Sequence, residues 1–215
     1  MKKIKSLFKR DYDNTRLVYD EVVEGSGWVA RGEGVATIKW DGSSCMIRDG
    51  VLYKRYDRKL TKQAWSRKRK NPNFVPTIDD FKPAPDGWEA CMDAPDVHTG
   101  HYTGWLKVDF ELPENKYHLE AFNPSLQNGT YELVGEKVQG NPYGLSAHEL
   151  WKHGVKFGDS DCPIAEVPPR DYAGIKAFLS RNSCEGIVWH HEDGRMAKIK
   201  SRDFGINWAN RESRL

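Results

Sequence analysis

The chain has 215 residues, 38% of them hydrophobic and 30% charged, so it can bury a core of its own and is too apolar for general disorder. A net charge of +2 from 33 basic and 31 acidic side chains is too small to imply a polyanion partner by itself, which leaves the distribution of charge as the informative quantity. No stretch approaches the roughly 20 apolar residues of a membrane span, and Met1-Lys2-Lys3-Ile4-Lys5 is not followed by the apolar segment of a signal peptide, so a cytoplasmic location is expected. Cys45, Cys91, Cys162 and Cys184 are scattered without a Cys-x-x-Cys pair, a pattern of reduced thiols and not of a zinc ribbon or a disulfide framework.

Taken in order, the first thirty residues carry apolar positions at Leu17, Val18, Val22 and Val23 and are expected to pack at an edge. The segment Gly34 to Asp49 follows, and in it Lys39 ends an apolar, β-branched run just before the turn-forming Asp41-Gly42. A strand that delivers a side chain into a cleft has this form, which makes Lys39 a candidate nucleophile. Its amine can attack phosphorus once deprotonated, and burial or neighbouring cations disfavour the ammonium. Asp49-Gly50 divides this segment from Val51-Leu52-Tyr53-Lys54-Arg55-Tyr56. That is a strong hairpin signal, so the lysine strand is expected to lead into an antiparallel meander, with Arg55 near its end and close to Lys39.

From Arg58 to Lys70, seven of thirteen residues are basic, none is acidic, and Trp65 lies among them. The run reads as a nucleic-acid contact or as a solvated, mobile face, and the aromatic is what stacking on a base would require. Residues 71–118 are rich in proline, glycine and aromatics and predict loops joining short strands. His98 and His101 lie there, but no nearby cysteine or third histidine completes a zinc pattern.

Gly129-Thr130-Tyr131-Glu132-Leu133-Val134-Gly135 places a carboxylate inside an apolar strand. Glu132 then needs a partner, which a ribose hydroxyl, a lysine or a core salt bridge would supply. Ser146-Ala147-His148-Glu149 has capping-box spacing and predicts a short helix through Trp151 that ends at Gly154. Beyond Pro168-Pro169, Tyr172, Ile175, Phe178 and Leu179 share one face of a core helix. A final hairpin runs Glu185-Gly186-Ile187-Val188-Trp189-His190, then Arg195-Met196-Ala197-Lys198-Ile199-Lys200. Alternation puts Lys198 and Lys200 on one face, where they suit a phosphate or, on an edge strand, discourage pairing.

In this order, Lys39-Trp40-Asp41-Gly42, Glu132-Leu133-Val134-Gly135, Glu185-Gly186-Ile187-Val188 and Lys198-Ile199-Lys200 resemble the motifs of the covalent nucleotidyltransferases, the superfamily of ATP-dependent DNA and RNA ligases and mRNA-capping enzymes. Tyr53 to Lys59, the Thr99 to Trp105 loop and Gly135 to Gly144 look like a family of small stand-alone RNA ligases with a vertebrate member. The resemblance implies an α+β fold: a single nucleotidyltransferase (adenylation) domain over 1–215, with antiparallel sheets forming a nucleotide cleft flanked by helices. It also implies ATP-dependent joining of an RNA 5′-phosphate to a 3′-hydroxyl. Lys39 would form lysyl-AMP, Glu132 would hold the ribose with Glu136 as the other candidate, and Glu185 would bind Mg²⁺ or Mn²⁺. Lys198 and Lys200 would neutralise the α-phosphate, and Arg55 would bind phosphate or the RNA end, ahead of Lys54 and Arg58. Fifteen residues follow Lys200, too few for an OB domain, so no appended C-terminal domain is expected and RNA grip falls to the 58–70 run and residues 71–118. Trp151 and Phe157 are candidates for stacking on adenine. A capping-type GTP:RNA guanylyltransferase and a non-catalytic RNA-binding module are the alternatives.

Overall fold

The computed structural model of the chain describes residues 4–97 and 99–209. His98 lies outside the described residues. In chain order, β1 (Lys5–Ser6), β2 (Phe8–Arg10), β3 (Val18–Val22), α1 (Gly27–Ala30) and β4 (Val35–Lys39) precede β5 (Ser43–Arg48), β6 (Val51–Lys59), α2 (Lys62–Lys70), β7 (Glu89–Ala90) and β8 (His101–Lys107). Then come α3 (Lys116–Ala121), β9 (Gly129–Val134), β10 (Glu149–Lys152), α4 (Tyr172–Arg181), β11 (Gly186–His190) and β12 (Met196–Lys200). Mainly antiparallel sheets with few helices make this an α+β protein, as expected. The chain divides into two compact units: Ser43–Leu133 with Ala147–Leu150, and Ile4–Gly42 with Val134–Ser146 and residues 151–209.

The unit that holds Ser43–Leu133 is organised on a sheet of order β10-β9-β5-β6-β8-β7. Asp49 and Gly50 both take positive φ (53° and 72°), and Arg48 pairs with Val51, the two-residue hairpin geometry that Asp-Gly favours because glycine adopts it without strain. The meander is therefore β5-β6-β8. β4 takes no part in it, since it pairs with β11 in the other sheet. Lys39 and Arg55 accordingly belong to different units. Residues 71–118 contain the two-residue β7, the seven-residue β8 and short 3₁₀ turns, as loop-forming composition predicts. The basic run is ordered: Thr61 caps α2 by accepting from Ala64 N–H at 3.2 Å. Ala64 is buried with Leu60, Phe81 and Tyr102, and Trp65 packs against that cluster. Trp65, half-buried, thus helps anchor the helix.

One expectation fails in this unit. Residues 149–152 form β10 and no helix. His148 turns to Glu120, its N–H donating to Oε1 at 3.0 Å and its Nδ1 lying 2.8 Å from Oε2. Leu150 is buried between exposed Glu149 and half-buried Trp151. A neighbouring strand to pair with outweighs local capping spacing, because propensity is a weak prior against tertiary pairing.

The other unit is built on a sheet of order β1-β12-β11-β4, antiparallel except for the β1–β12 pair. One face is apolar: Ala36, Ile38, Ile187, Trp189, Ala197 and Ile199 are buried with α4 residues Ile175, Phe178 and Leu179. A fully buried isoleucine, leucine or phenylalanine among them contributes about 1.5–3 kcal/mol. Asp171 starts α4 by accepting from Gly174 N–H at 2.8 Å, and the predicted stripe faces the core. The first thirty residues do more than line an edge. β1 is the edge strand, but Leu7, Phe8, Val18, Trp28 and Val29 are buried in the main core. Their irregular spacing follows short strands and a four-residue helix, which leave no periodicity to read. Among the described residues no helix is long and apolar enough to cross a membrane.

Candidate active site around Lys39

Strand register assembles the site. Lys39 on β4 pairs with Gly186 on β11, and Gly186 pairs with Lys200 on β12. Paired residues share a sheet face, so Lys39 and Lys200 stand on the same side, opposite the core. Lys198 joins them there two residues back, paired with Val188, which in turn pairs with Thr37. β12 lies between β1 and β11, so its lysines do not guard an edge and that alternative falls. Gly186 is required by close approach: a Cβ there would lie 2.1 Å from Ile199 O and 2.9 Å from Lys200 Cα.

Glu185, one residue before β11, is 4% exposed. Both carboxylate oxygens are taken, Oε2 by Lys39 Nζ and Oε1 by Lys200 Nζ. This sharing answers the desolvation cost that an unpaired buried carboxylate would carry. Lys39 Nζ also donates to Trp40 O at 3.1 Å. Burial holds the Lys200 ammonium below the usual lysine range, and the Lys39 charge adds to this while Glu185 opposes it. Two amines against one carboxylate leave an excess of positive charge in a partly dehydrated place. Such a place suits an anion.

The turn after Lys39 is fixed by aromatics. Asp41 N–H donates to Tyr143 Oη at 2.6 Å, and Trp40 Nε1–H donates to Lys152 O at 3.1 Å. Trp151 lies edge-on to Trp40 and tilted on Tyr143, with centroids 4.8 and 4.7 Å apart. It is half-buried. Phe157, the other aromatic candidate, is 5% exposed and packed on Phe178; a ring committed to the core offers no face to a base. Two residues of the site have no role assigned from the sequence. One is Tyr143; the other is Asp203, buried, which accepts from Lys200 N–H at 3.0 Å and pairs with Arg10. An acid three residues after Lys200 is helix-capping spacing and could have flagged Asp203.

The remaining candidates are placed as follows. Glu132 is 7% exposed in β9 and pairs with Ser44 in the ladder. Glu136, its rival, is exposed and bonded to Lys137, which favours Glu132 as the buried carboxylate. Arg55 Nε donates to Asp57 at 2.8 Å and the guanidinium lies 5.7 Å over Trp105. Lys54 donates to Asn115 at 2.6 Å, and Arg58 to Lys82 O at 2.7 Å. No cluster of three or more His, Cys, Asp or Glu able to hold a metal occurs among the described residues.

Fold and site together define an α+β protein that presents lysines around one buried glutamate on the sheet face opposite the apolar core. Residues 116–215 match a family described as RNA ligase 1. The chain is similar to RNA ligase 1 of Danio rerio, 29% identical over 255 aligned positions covering 93% of this chain and 76% of that one. It is 26% identical to RNA ligase 1 of Pongo abelii and of Mus musculus, over 81% of this chain and 68% of each of theirs. The chain is thus similar to RNA ligases of vertebrates.

Proposed function

We propose that this protein is an ATP-dependent RNA ligase, a nucleotidyltransferase domain that joins RNA 5′-phosphate and 3′-hydroxyl ends through lysyl-AMP. The observation that carries the reading is the sharing of Glu185 between Lys39 and Lys200 on the face that also bears Lys198. Lys39 Nζ forms the bond to the α-phosphorus as the bond to the bridging oxygen breaks and pyrophosphate leaves; Glu185 is the carboxylate already hydrogen-bonded to that amine. Lys198 and Lys200 stabilise the charge that builds on the α-phosphate, a contribution of several kcal/mol when such a donor is pre-placed. AMP then passes to the RNA 5′-phosphate and is displaced by the 3′-hydroxyl.

A hard divalent cation, Mg²⁺ or Mn²⁺, fits the oxygen chemistry of Glu185. Mg²⁺ commonly takes one or two protein carboxylates and fills its remaining positions with phosphate and water, so a single carboxylate suffices. When bound it would offset phosphate charge. The roles of Glu132 on the ribose and of Arg55 on phosphate or the RNA end rest on the resemblance alone.

The test is incubation with each nucleoside triphosphate radiolabelled at the α-phosphate, with and without Mg²⁺, followed by a search for label on the denatured chain. ATP should label the wild type, and Lys39→Ala should abolish labelling while keeping the circular dichroism spectrum. Label from GTP alone would favour a capping-type guanylyltransferase; RNA binding without any label would favour a non-catalytic module.

A further inference from the structure

The outward face of α2 is unused by the chemistry around Lys39. Of the seven cations between Arg58 and Lys70, three are engaged in the fold, three are exposed on α2, and Lys59 is exposed at the end of β6. Arg58 bonds Lys82 O and lies over Trp88 and Tyr102, at 5.4 and 5.5 Å. Arg67 pairs with Asp80 and lies 4.7 Å over Phe74. Lys68 bonds Val97 O and lies over Trp65. These three are engaged in the fold. Lys62, Arg69 and Lys70 are exposed and have no ion pair or hydrogen-bond partner among the described residues. Seven residues make about two helical turns, so Lys62 and Arg69 stand nearly in line with Lys70 beside them, while Ala64 on the other side is buried.

Helix stability does not account for this face. Cations in the last turn complement the helix dipole, but Lys62 sits at its positive end, where an acid is favoured and where no acidic residue is present. Electrostatics within the helix therefore works against Lys62. A polyanion laid along the face would reverse that sign.

We propose that Lys62, Arg69 and Lys70 form a sequence-independent contact surface for the phosphate backbone of single-stranded RNA. This rests on the RNA ligase reading for the identity of the polyanion, and it separates substrate grip from nucleotide chemistry. Phosphate contacts of this kind position a strand without reading bases.

The experiment measures binding of a 5′-phosphorylated single-stranded RNA to the full chain by fluorescence anisotropy across a salt series, with AMP labelling in parallel. The triple variant Lys62→Gln, Arg69→Gln, Lys70→Gln should bind RNA more weakly, and its log–log salt slope should be shallower by about 2, three contacts at about 0.7 each for a single strand. Its AMP labelling should match the wild type. Lys62→Glu should leave thermal stability equal or higher, because it corrects the dipole mismatch, while still weakening RNA binding; a folding defect cannot produce that pair of signs. An unchanged slope and affinity in the triple variant would overturn the proposal, as would a loss of binding to anionic vesicles with RNA binding intact. A wild type that takes no AMP but whose RNA slope responds to the triple change would sink the ligase reading and leave this surface standing.

Discussion

Lys39 and Gly186 face each other across β4 and β11, and the glycine is the member that admits no substitute. An alanine Cβ would press on the β12 backbone at Ile199 O and Lys200 Cα, and backbone cannot yield as a flexible side-chain end can. Gly186→Ala should therefore lower the melting temperature and disturb Lys200 and Lys39 together. Scanning calorimetry and AMP labelling on the same sample check this. A variant with wild-type stability and labelling would mean that the strands do not approach as described.

Lys198 and Lys200 share the Lys39 face of the sheet. Replacing either by alanine should slow AMP labelling by on the order of 10²-fold, as loss of a pre-placed charge-stabilising group does. Single-turnover labelling at saturating ATP is the appropriate measurement. Near-wild-type rates in both variants would remove the two lysines from the reaction.

His118 supplies a pH signature in the other unit. Burial, and secondly the Lys54 charge, push its imidazole down from 6.5 to about 4, and its buried Nδ1 has no hydrogen-bond partner. Between these values the unfolded chain takes up a proton that the folded chain does not. Stability contributed by neutral His118 is therefore fully present above about pH 6.5 and is lost as pH falls toward 4. Urea denaturation across that range should show a shallower decline in His118→Gln than in the wild type. Parallel declines would show that His118 is not the group responsible.

Short-range patterns determined a good part of this protein. The Asp49-Gly50 hairpin, the α4 stripe of Ile175, Phe178 and Leu179, and the common face of Lys198 and Lys200 follow from turn chemistry and from periods of 3.6 and 2, which act within a few residues. The ordered motifs named the chemical groups, Lys39 and Glu185 among them, because their residue types are constrained even where their contacts are not. Pairing over long sequence separations had to come from tertiary structure. Only the register of β4, β11 and β12 sets Glu185 between Lys39 and Lys200, 146 and 15 residues away in sequence. Only the availability of a sheet neighbour turns residues 149–152 into β10 despite their capping spacing. The same holds for the cations between Arg58 and Lys70: in sequence all seven look alike, and it is the folded neighbours Asp80, Val97 and Lys82 that engage three of them, because a hydrogen bond depends on distance in space and the sequence records only distance along the chain.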